Sequence, residues 1–450
     1  MTEREFAIEC VRTLQQAGFR ALWAGGCVRD ELLGLAPQDY DIATDARPEQ
    51  VRKHFRRTLA IGAAFGVIEV IGPRLADGTH HTLEVATFRS DGSYTDGRRP
   101  DSVVYSSPEE DARRRDFTIN GLFFDPIAEQ HLDFVGGRAD LQAKVLRAIG
   151  DPAARFEEDK LRVLRAVRIA TRFNLVIDAA TLEAAKRIAP QITVVSAERI
   201  AEELRKLLSH PNRSRGAELL EEFGLLEVLF PDLFTSPPAL RGEVAVLMRR
   251  ASTPTAGEGA VAEAVPPPAS PGVKTASRGF DSDLSPAEPG ERCLESLPSE
   301  ASFELAFATL LHALGKAQVE RIADRLKLST AEKTRIVWLV ANQAALANAA
   351  ALPLHKLKPL LAHPGAEELV ELHRAFGHDV AFAERMLRES SRELLDPPPL
   401  VTGEDLIAMG MKPGPAFKRL LDAVRAAQLD ERIHSKEDGL RLVRERHPPA

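Results

Sequence analysis

The chain has few cysteines, tryptophans, tyrosines and methionines: 3, 2, 3 and 5 among 450 residues. Cys10, Cys27 and Cys293 lie far apart and form no C-x-x-C pair, which argues against a thiolate zinc site. A reduced, cytoplasmic compartment is therefore expected. No apolar run approaches the roughly 18 residues that span a bilayer. The opening MTEREFAIEC also lacks the basic-then-apolar layout of a secretory signal, so no membrane partner is expected. The first double glycine does not extend to G-x-G-x-x-G, which excludes a dehydrogenase-type dinucleotide site.

A net positive charge is also missing. The formal sum is −7, yet its distribution weakens any argument against a polyanionic partner. Residues 251–300 hold eight acids and three bases, and so account for most of the excess. By contrast, RPEQVRKHFRR (47–57) carries five bases against one acid, and RFEEDKLRVLRAVRIATR (155–172) carries six against three. Strips of this kind either bind a phosphate backbone or form solvated helix faces.

Over residues 1–150, short β-branched runs (ALWAGG, DYDIAT, FGVIEVIG, HTLEVATF, DSVVYSS) alternate with helical stretches such as REFAIECVRTLQQAG and PEQVRKHF. SDGSYTDGRRPDS reads as a polar, Gly-rich connection. From Asp151 onward one helical pattern follows another: EEDKLRVLRAVRIATRF, AATLEAAKRIAP, SAERIAEELRKLLS, SRGAELLEEFGLLEVLF. Residues 251–300 hold eight of the 30 prolines and few large apolar residues, and read as disordered linker. The chain is therefore expected to be α+β, with a small mixed-sheet domain followed by all-α segments.

Three constellations carry chemistry. In DYDIAT a strand would place Asp39 and Asp41 on one face with Tyr40 turned away. Such a pair either holds divalent metal or sits solvated at a strand edge. Upstream, Gly25 and Gly26 make a turn at which backbone amides can approach a triphosphate, and Arg29 would add a charge-assisted contact. In RRRDFTINGLFFD, Arg115 is placed to reach phosphate and Asp116 to accept from a ribose hydroxyl, or the segment is only a basic helix end running into a strand. In EEDKLRVLRAVRIA, Asp159, Arg162, Arg165 and Arg168 recur every third residue, as helical neighbours. Asp159 with Arg162 matches the amine and ring-nitrogen edge of cytosine and adenine and opposes that of guanine and uracil. The alternative is an i,i+3 surface salt bridge.

Together, GGCVRD, DYDIAT, RRDFTIN, FVGGRADLQAKVLRAIGDPAARFEEDKLRVLRAVRIA and SAERIAEELRKLL resemble, in order, the signature motifs of the class II tRNA nucleotidyltransferases (CCA-adding enzymes) and bacterial poly(A) polymerases. The similarity runs from residue 20 to about 210 and resumes at TGEDLIAMGMKPGPAFKRLLDAVRAAQLD (402–430). It implies a polymerase-β-like head (1–150), a base-reading helical neck (151–210), the first part of a helical body (211–250), the linker (251–300), and a body and tail that hold RNA (301–450). It further implies two Mg²⁺ ions on Asp39 and Asp41, with Glu84 as a third catalytic carboxylate. Gly25, Gly26, Arg29, Arg115, Asp116 and Asn120 would serve the nucleotide, with Asp159 and Arg162 reading its base beside Arg165 and Arg168. Two positions depart from the usual pattern: Ile169, where Phe is common, and Gly121, where Ala or Ser is. LLHALGK has Ala313 beside His312, so no His-Asp phosphohydrolase site is expected.

The implied activity is template-independent addition of CCA to tRNA 3′ ends from CTP and ATP. A-adding enzymes and poly(A) polymerases share the motifs, and a catalytically silent RNA-binding module is the remaining alternative. The retained SDGSYTDGRRPDSV segment disfavours CC-only addition.

Overall fold

A computed structural model describes residues 1–62, 66–75, 77–91, 103–235 and 293–447. The chain divides into two compact units. One comprises Met1–Thr235 with Ser299–Phe303 and Ala317–Lys333. The other comprises the stretch before Ser299, Glu304–Lys316 and Thr334–Ala450.

In the first unit, helix α1 (Glu3–Gln16) opens on a capping box, Thr2 accepting from the Glu5 amide while Glu5 accepts from that of Thr2. There follow β1 (Ala21–Ala24), α2 (Gly26–Leu32), β2 (Ile42–Thr44), α3 (Pro48–His54), β3 (Thr58–Gly62), β4 (Val67–Arg74) and β5 (His80–Thr87). Next come the hairpin β6 (Arg89–Asp91) and β7 (Val103–Tyr105), α4 (Pro108–Arg113), β8 (Leu122–Asp125), β9 (Gln130–Asp133) and α5 (Gly137–Gln142). The seven-stranded sheet has the order β3-β4-β5-β2-β1-β8-β9 and is mixed, because β2 runs parallel to β5 while the other neighbours are antiparallel.

Alternation along the strands gives the sheet two unlike faces. One buries Trp23, Ile42, Ile68, Val70, Leu83 and Val85 against Val11 and Leu14 of α1, Val28 of α2 and Val51 of α3. The other is covered only in part: Leu22, Ala43 and Phe123 pack with Phe88 and Ala112. Toward β4 and β5 that second face carries acids instead. A Cβ at Gly121 would stand 2.6 Å from Val135 Cγ2, so Ala or Ser there would need Val135 to shift.

The remainder of this unit is largely helical: β10 (Val145–Leu146), α6 (Pro152–Glu158), α7 (Leu161–Phe173), β11 (Val176–Ile177), α8 (Ala179–Ile188), α9 (Ala197–Leu208), α10 (Arg213–Glu222), α11 (Leu225–Leu229) and α12 (Pro231–Thr235). The single helix expected from Glu157 is two. Asp159 is extended (φ −145°, ψ 104°) and separates α6 from α7. Ile169 is buried, one methyl-branched side chain filling a core position on α7.

Among its described residues the second unit is helical apart from its turns, with Leu354–Leu361, Ala366–Ala375, Ala381–Glu389, Gly403–Ala408, Pro415–Leu429 and Lys436–Arg446 among its helices. Val401, Leu406, Leu420, Val424 and Val443 form a small core of their own near its C-terminal end. The α+β layout is thus as expected. Residues 92–102 of the polar connection and 251–292 of the expected linker lie outside the described residues. Cys293, Leu294 and Leu297, near that linker's end, are buried. Among the described residues, no helix is long and apolar enough to cross a membrane.

Candidate active site

The site begins with the approach to β2. Ala24 N donates to Asp41 O at 3.0 Å, so the chain is already paired with β1 two residues after Asp39. Tyr40 turns inward, its ring 4.8 Å from that of Trp23 and its hydroxyl donating to Glu31 Oε1 at 2.9 Å. Alternation then places Asp39 and Asp41 on the opposite, open face. Ile42 pairs with Val85, and one step back in that register sets Asp41 beside Glu84; Glu84 in turn pairs directly with Glu69 on β4. Carboxylates therefore line up across three strands.

Electrostatics follows from this row. Burial pushes the Asp41 carboxyl up to about 6, Asp39 and Glu84 add to the rise, and Arg115 opposes it. Loss of hydration also raises Glu84, followed by the charges of Glu69 and Asp39. Glu69 escaped the reading of the sequence, although the lone acid in the alternating run VIEVIG marks it as facing out of the apolar layer. Among the described residues, no group of three or more His, Cys, Asp or Glu side chains is arranged to hold a metal ion. Asp39 and Asp41, the acids expected to bind metal, make a pair of carboxylates on the open face. Two hard oxygen donors whose mutual repulsion a cation would relieve suit Mg²⁺, which commonly binds through one or two carboxylates and leaves its other positions to water and phosphate.

On the other flank of Asp41 lies the glycine turn between β1 and α2. Gly25 has φ +75°, and a Cβ there would stand 2.6 Å from Arg115 Nη1. Only glycine meets both conditions. Arg115 itself is tethered, Nε and Nη2 donating to Asp111 Oδ2 at 3.2 and 3.1 Å and Nη1 to the carbonyl of Asn120 at 3.3 Å. Arg29 is 6% exposed. Its Nε and Nη2 donate to Asp30 Oδ1, its Nη1 to Asn120 Oδ1 at 2.5 Å, and its guanidinium lies 4.2 Å from the Phe173 ring centroid. Burial lowers its pKa, with Asp30 opposing. Arg29 is therefore engaged with protein partners rather than standing open to solvent.

The residues expected at the sugar and base are likewise paired. Asp116 accepts from Arg165 Nε and Nη2 at 2.9 and 2.6 Å, and from Asn120 Nδ2 and its neighbour's amide through Oδ1. Burial alone would push this carboxyl up, but the Arg165 guanidinium and the Asn120 hydrogen bond more than offset it and hold it well below the usual range. Arg168 Nε donates to Glu203 Oε2 at 2.5 Å. Asp159 and Arg162, expected as helical neighbours, do not pair with each other. Asp159 lies between the helices and accepts from Arg199 Nη2 at 2.6 Å, while Arg162 Nη1 donates to Glu158 Oε2 at 2.6 Å, one helical turn away. The i,i+3 bridge gives way because Asp159 caps α6 in an extended conformation and its Oδ1 accepts from the Leu161 amide at 3.0 Å. Glu158 and Arg162 are four apart in sequence and could have been found; Arg199 and Glu203 carry no local signal linking them to α7.

Residues 21–147 match the family description "Poly A polymerase head domain", and residues 174–235 match "Probable RNA and SrmB- binding site of polymerase A". Poly(A) polymerase I of Salmonella typhi is 39% identical over 241 residues, 51% of this chain and 50% of that one. The CCA-adding enzyme of Levilactobacillus brevis is 40% identical over 252 residues, 56% of this chain and 62% of that one. The crystal structure of the Bacillus stearothermophilus CCA-adding enzyme in complex with CTP aligns with 99% of this chain and 98% of its own at 26% identity, with a TM-score of 0.75. The chain is thus similar to both CCA-adding enzymes and bacterial poly(A) polymerases. The match spans only half or somewhat more of the length of these two curated relatives. The family's motifs coincide with the site just described: GGCVRD supplies the glycine turn, DYDIAT the acids, RRDFTIN the Arg115–Asn120 segment, and the motif from residue 157 the neck. His312, on the segment compared with a phosphohydrolase helix, is half-buried; its Nδ1 lies 2.8 Å from the Thr309 carbonyl and its ring packs near Phe376.

Proposed function

We propose that this chain extends tRNA 3′ ends with C, C and A, using CTP and ATP without a nucleic-acid template. The observation that carries this reading is the carboxylate row of Asp39, Asp41 and Glu84 on the open sheet face, flanked by the Gly25 turn. The terminal 3′-hydroxyl oxygen attacks the α-phosphorus in line, the new O–P bond forms, and pyrophosphate leaves. Asp39 and Asp41 would hold two Mg²⁺ ions, which would supply charge neutralisation at the α-phosphate and activation of the hydroxyl. Glu84 is the third carboxylate of the row.

The chain's own residues do the positioning. Gly25 and Gly26 let the backbone approach the triphosphate, and Arg115, held at its elbow by Asp111, presents its guanidinium at that turn. Arg29 and Asn120 brace the turn from beneath. Asp116 accepts from the ribose hydroxyl, with Arg165 holding it ionised. Asp159 and Arg162 read the base edge, and Arg165 and Arg168 line the same helix. In this reading residues 1–150 are the head and 151–210 the neck. Residues 211–250 begin the body, 251–300 are linker, and 301–450 continue as body and tail on the RNA.

Incubating the protein with Mg²⁺ and tRNAs ending at the discriminator base, at C or at CC, with each NTP in turn, tests the reading. Stepwise C, C and A addition is expected. Extension of only the CC-ended tRNA by ATP would replace it with an A-adding enzyme. Adenosine runs on unrelated RNA would indicate a poly(A) polymerase, the activity named for one of two relatives of nearly equal identity. No incorporation under any condition would leave a silent RNA-binding module.

A further inference from the structure

The basic strip RPEQVRKHFRR has no role in the site so far. It covers α3 and the turn into β3, and Arg52, Lys53, Arg56 and Arg57 are all exposed. Together with Phe55 and Ile71 they line a groove of about 590 Å³, whose one acid is Glu49. A second groove of about 520 Å³ shares Phe55, Arg56, Arg57 and Ile71 and runs on to Pro73. Among the described residues, none of the four cations makes an ion pair, and Arg57 has only a 3.5 Å contact with His80 Nε2. The neck arginines differ: Arg162, Arg165, Arg168 and Arg199 each hold a carboxylate.

Register ties this groove to the carboxylate row. Ile71 N donates to Arg57 O at 3.0 Å, and Leu59 pairs with Glu69, which pairs with Glu84. Arg57 and Leu59 are two apart, so Arg57 leaves the same open face, about 7 Å further along the strand. Ile71, opposite Arg57, likewise lies on the Glu69 side of β4. The sheet order separates two cationic places about the acids. The glycine turn and Arg115 lie on the β1–β8 side of Asp41. The α3–β3 groove lies on the other side, three strand spacings or about 14 Å from β2.

We propose that the groove of Arg52, Lys53, Arg56 and Arg57 holds the phosphodiester backbone of the RNA strand whose 3′ end is extended, opposite the nucleotide across the carboxylate row. The inference rests on the proposed nucleotidyltransferase reading. Unpaired, exposed cations beside an apolar floor of Phe55 and Ile71 suit a single strand, whose phosphates take the charge while a sugar or base covers the apolar surface. Arg57 and Ile71 lie on the side of the acids, while Arg52 and Lys53 reach the groove from α3 on the covered face, so the groove sits at the sheet edge.

The test uses the full chain, a fluorescein-labelled single-stranded RNA 12-mer and a tRNA transcript ending in CC, both blocked as 3′-deoxy. Affinity is measured from about 50 to 200 mM salt, for wild type and for R52Q/K53Q/R56Q/R57Q. The variant should bind either RNA about 10–100-fold more weakly near 100 mM salt, with a log–log salt slope shallower by about 2–3. ATP and CTP affinity should not change. The pair K53E/R56E should show the same direction, and it replaces the quadruple variant if that one melts lower than wild type. Unchanged RNA affinity and slope in a folded variant overturns the inference, whether the groove then serves an acidic protein or nothing. A wild type that fails to bind either RNA overturns it too. Wild type that binds through the groove yet incorporates no nucleotide from any NTP leaves the groove standing and removes the nucleotidyltransferase reading.

Discussion

The open face of the sheet and the neck helix handle charge in opposite ways. On the sheet, Asp39, Asp41, Glu84 and Glu69 gather with little compensation, and both Asp41 and Glu84 are raised. On the neck, each arginine at the functional spacing has a carboxylate, and Asp116 is held low beneath Arg165. The first arrangement is costly until a cation or substrate arrives; the second is already complete. An unbalanced cluster marks where a ligand must enter, and a balanced one marks a frame that presents side chains in fixed orientation. The same molecule thus keeps its reactive charge apart from its structural charge.

Breaking the unbalanced side should have the largest catalytic effect. Asp41→Ala is expected to lower incorporation by about 10³-fold or more, since it removes half of the carboxylate pair proposed to hold the ions. Its circular dichroism and melting should remain those of a folded protein. Incorporation within tenfold of wild type would remove the metal assignment.

Breaking the balanced side should instead cost stability. Asp116→Asn leaves Arg165, 35% exposed and 3.8 Å from Glu203, facing a neutral amide in place of its main counter-ion, a change worth about 1.5–3 kcal/mol. Urea denaturation should show that loss. A ΔG within 1 kcal/mol of wild type, a margin set by the usual surface substitution, would mean that the neck is not organised around this pair.

Arg162→Ala probes whether a paired arginine still reads a base. Glu158 and two carbonyls take its guanidinium, yet five N–H groups leave donors to spare. Selectivity for C and A over G and U is expected to fall by about 10-fold while turnover persists, in line with the roughly 1–3 kcal/mol of a good base contact. Competition between all four NTPs on one tRNA reads this out, and an unchanged preference would move base recognition elsewhere.

The sequence showed one side of this comparison more clearly than the other. Asp39 and Asp41 were legible because strand alternation is a two-residue rule, and Tyr40 obeys it by packing on Trp23. Glu84 and Glu69 become neighbours only through the parallel β2–β5 pairing and the β4–β5 register, which no local pattern encodes. The period of EEDKLRVLRAVRIA implies one helix with Arg162 beside Asp159, whereas the chain breaks at Asp159. Its true partner, Arg199, comes from α9, forty residues on. Local periodicity records which face a side chain takes, whereas the identity of its counter-ion depends on tertiary packing.

The smallest expected effect sharpens the comparison most directly, because it measures the strain in the unbalanced row without any turnover. The Asp41 carboxyl moves from an ordinary value of 3.8 up to about 6 on folding. Below pH 4 it is protonated in both states and costs nothing. Between about pH 4 and 6 the unfolded chain ionises first, so native stability falls as pH rises, and above pH 6 the full penalty persists. Asp41→Asn has no such titration. The variant should therefore match wild type in melting temperature near pH 4 and exceed it by a few degrees at pH 7.5, a gain on the order of 1–3 kcal/mol before solvent screening reduces it. Millimolar Mg²⁺ should narrow that gap by raising the wild type alone, since binding to the native state stabilises by mass action. If the two proteins melt together at both pH values, the row is not strained. If Mg²⁺ raises both equally, the ion sits elsewhere. The contrast between the two regions would then be one of geometry and not of stored electrostatic energy.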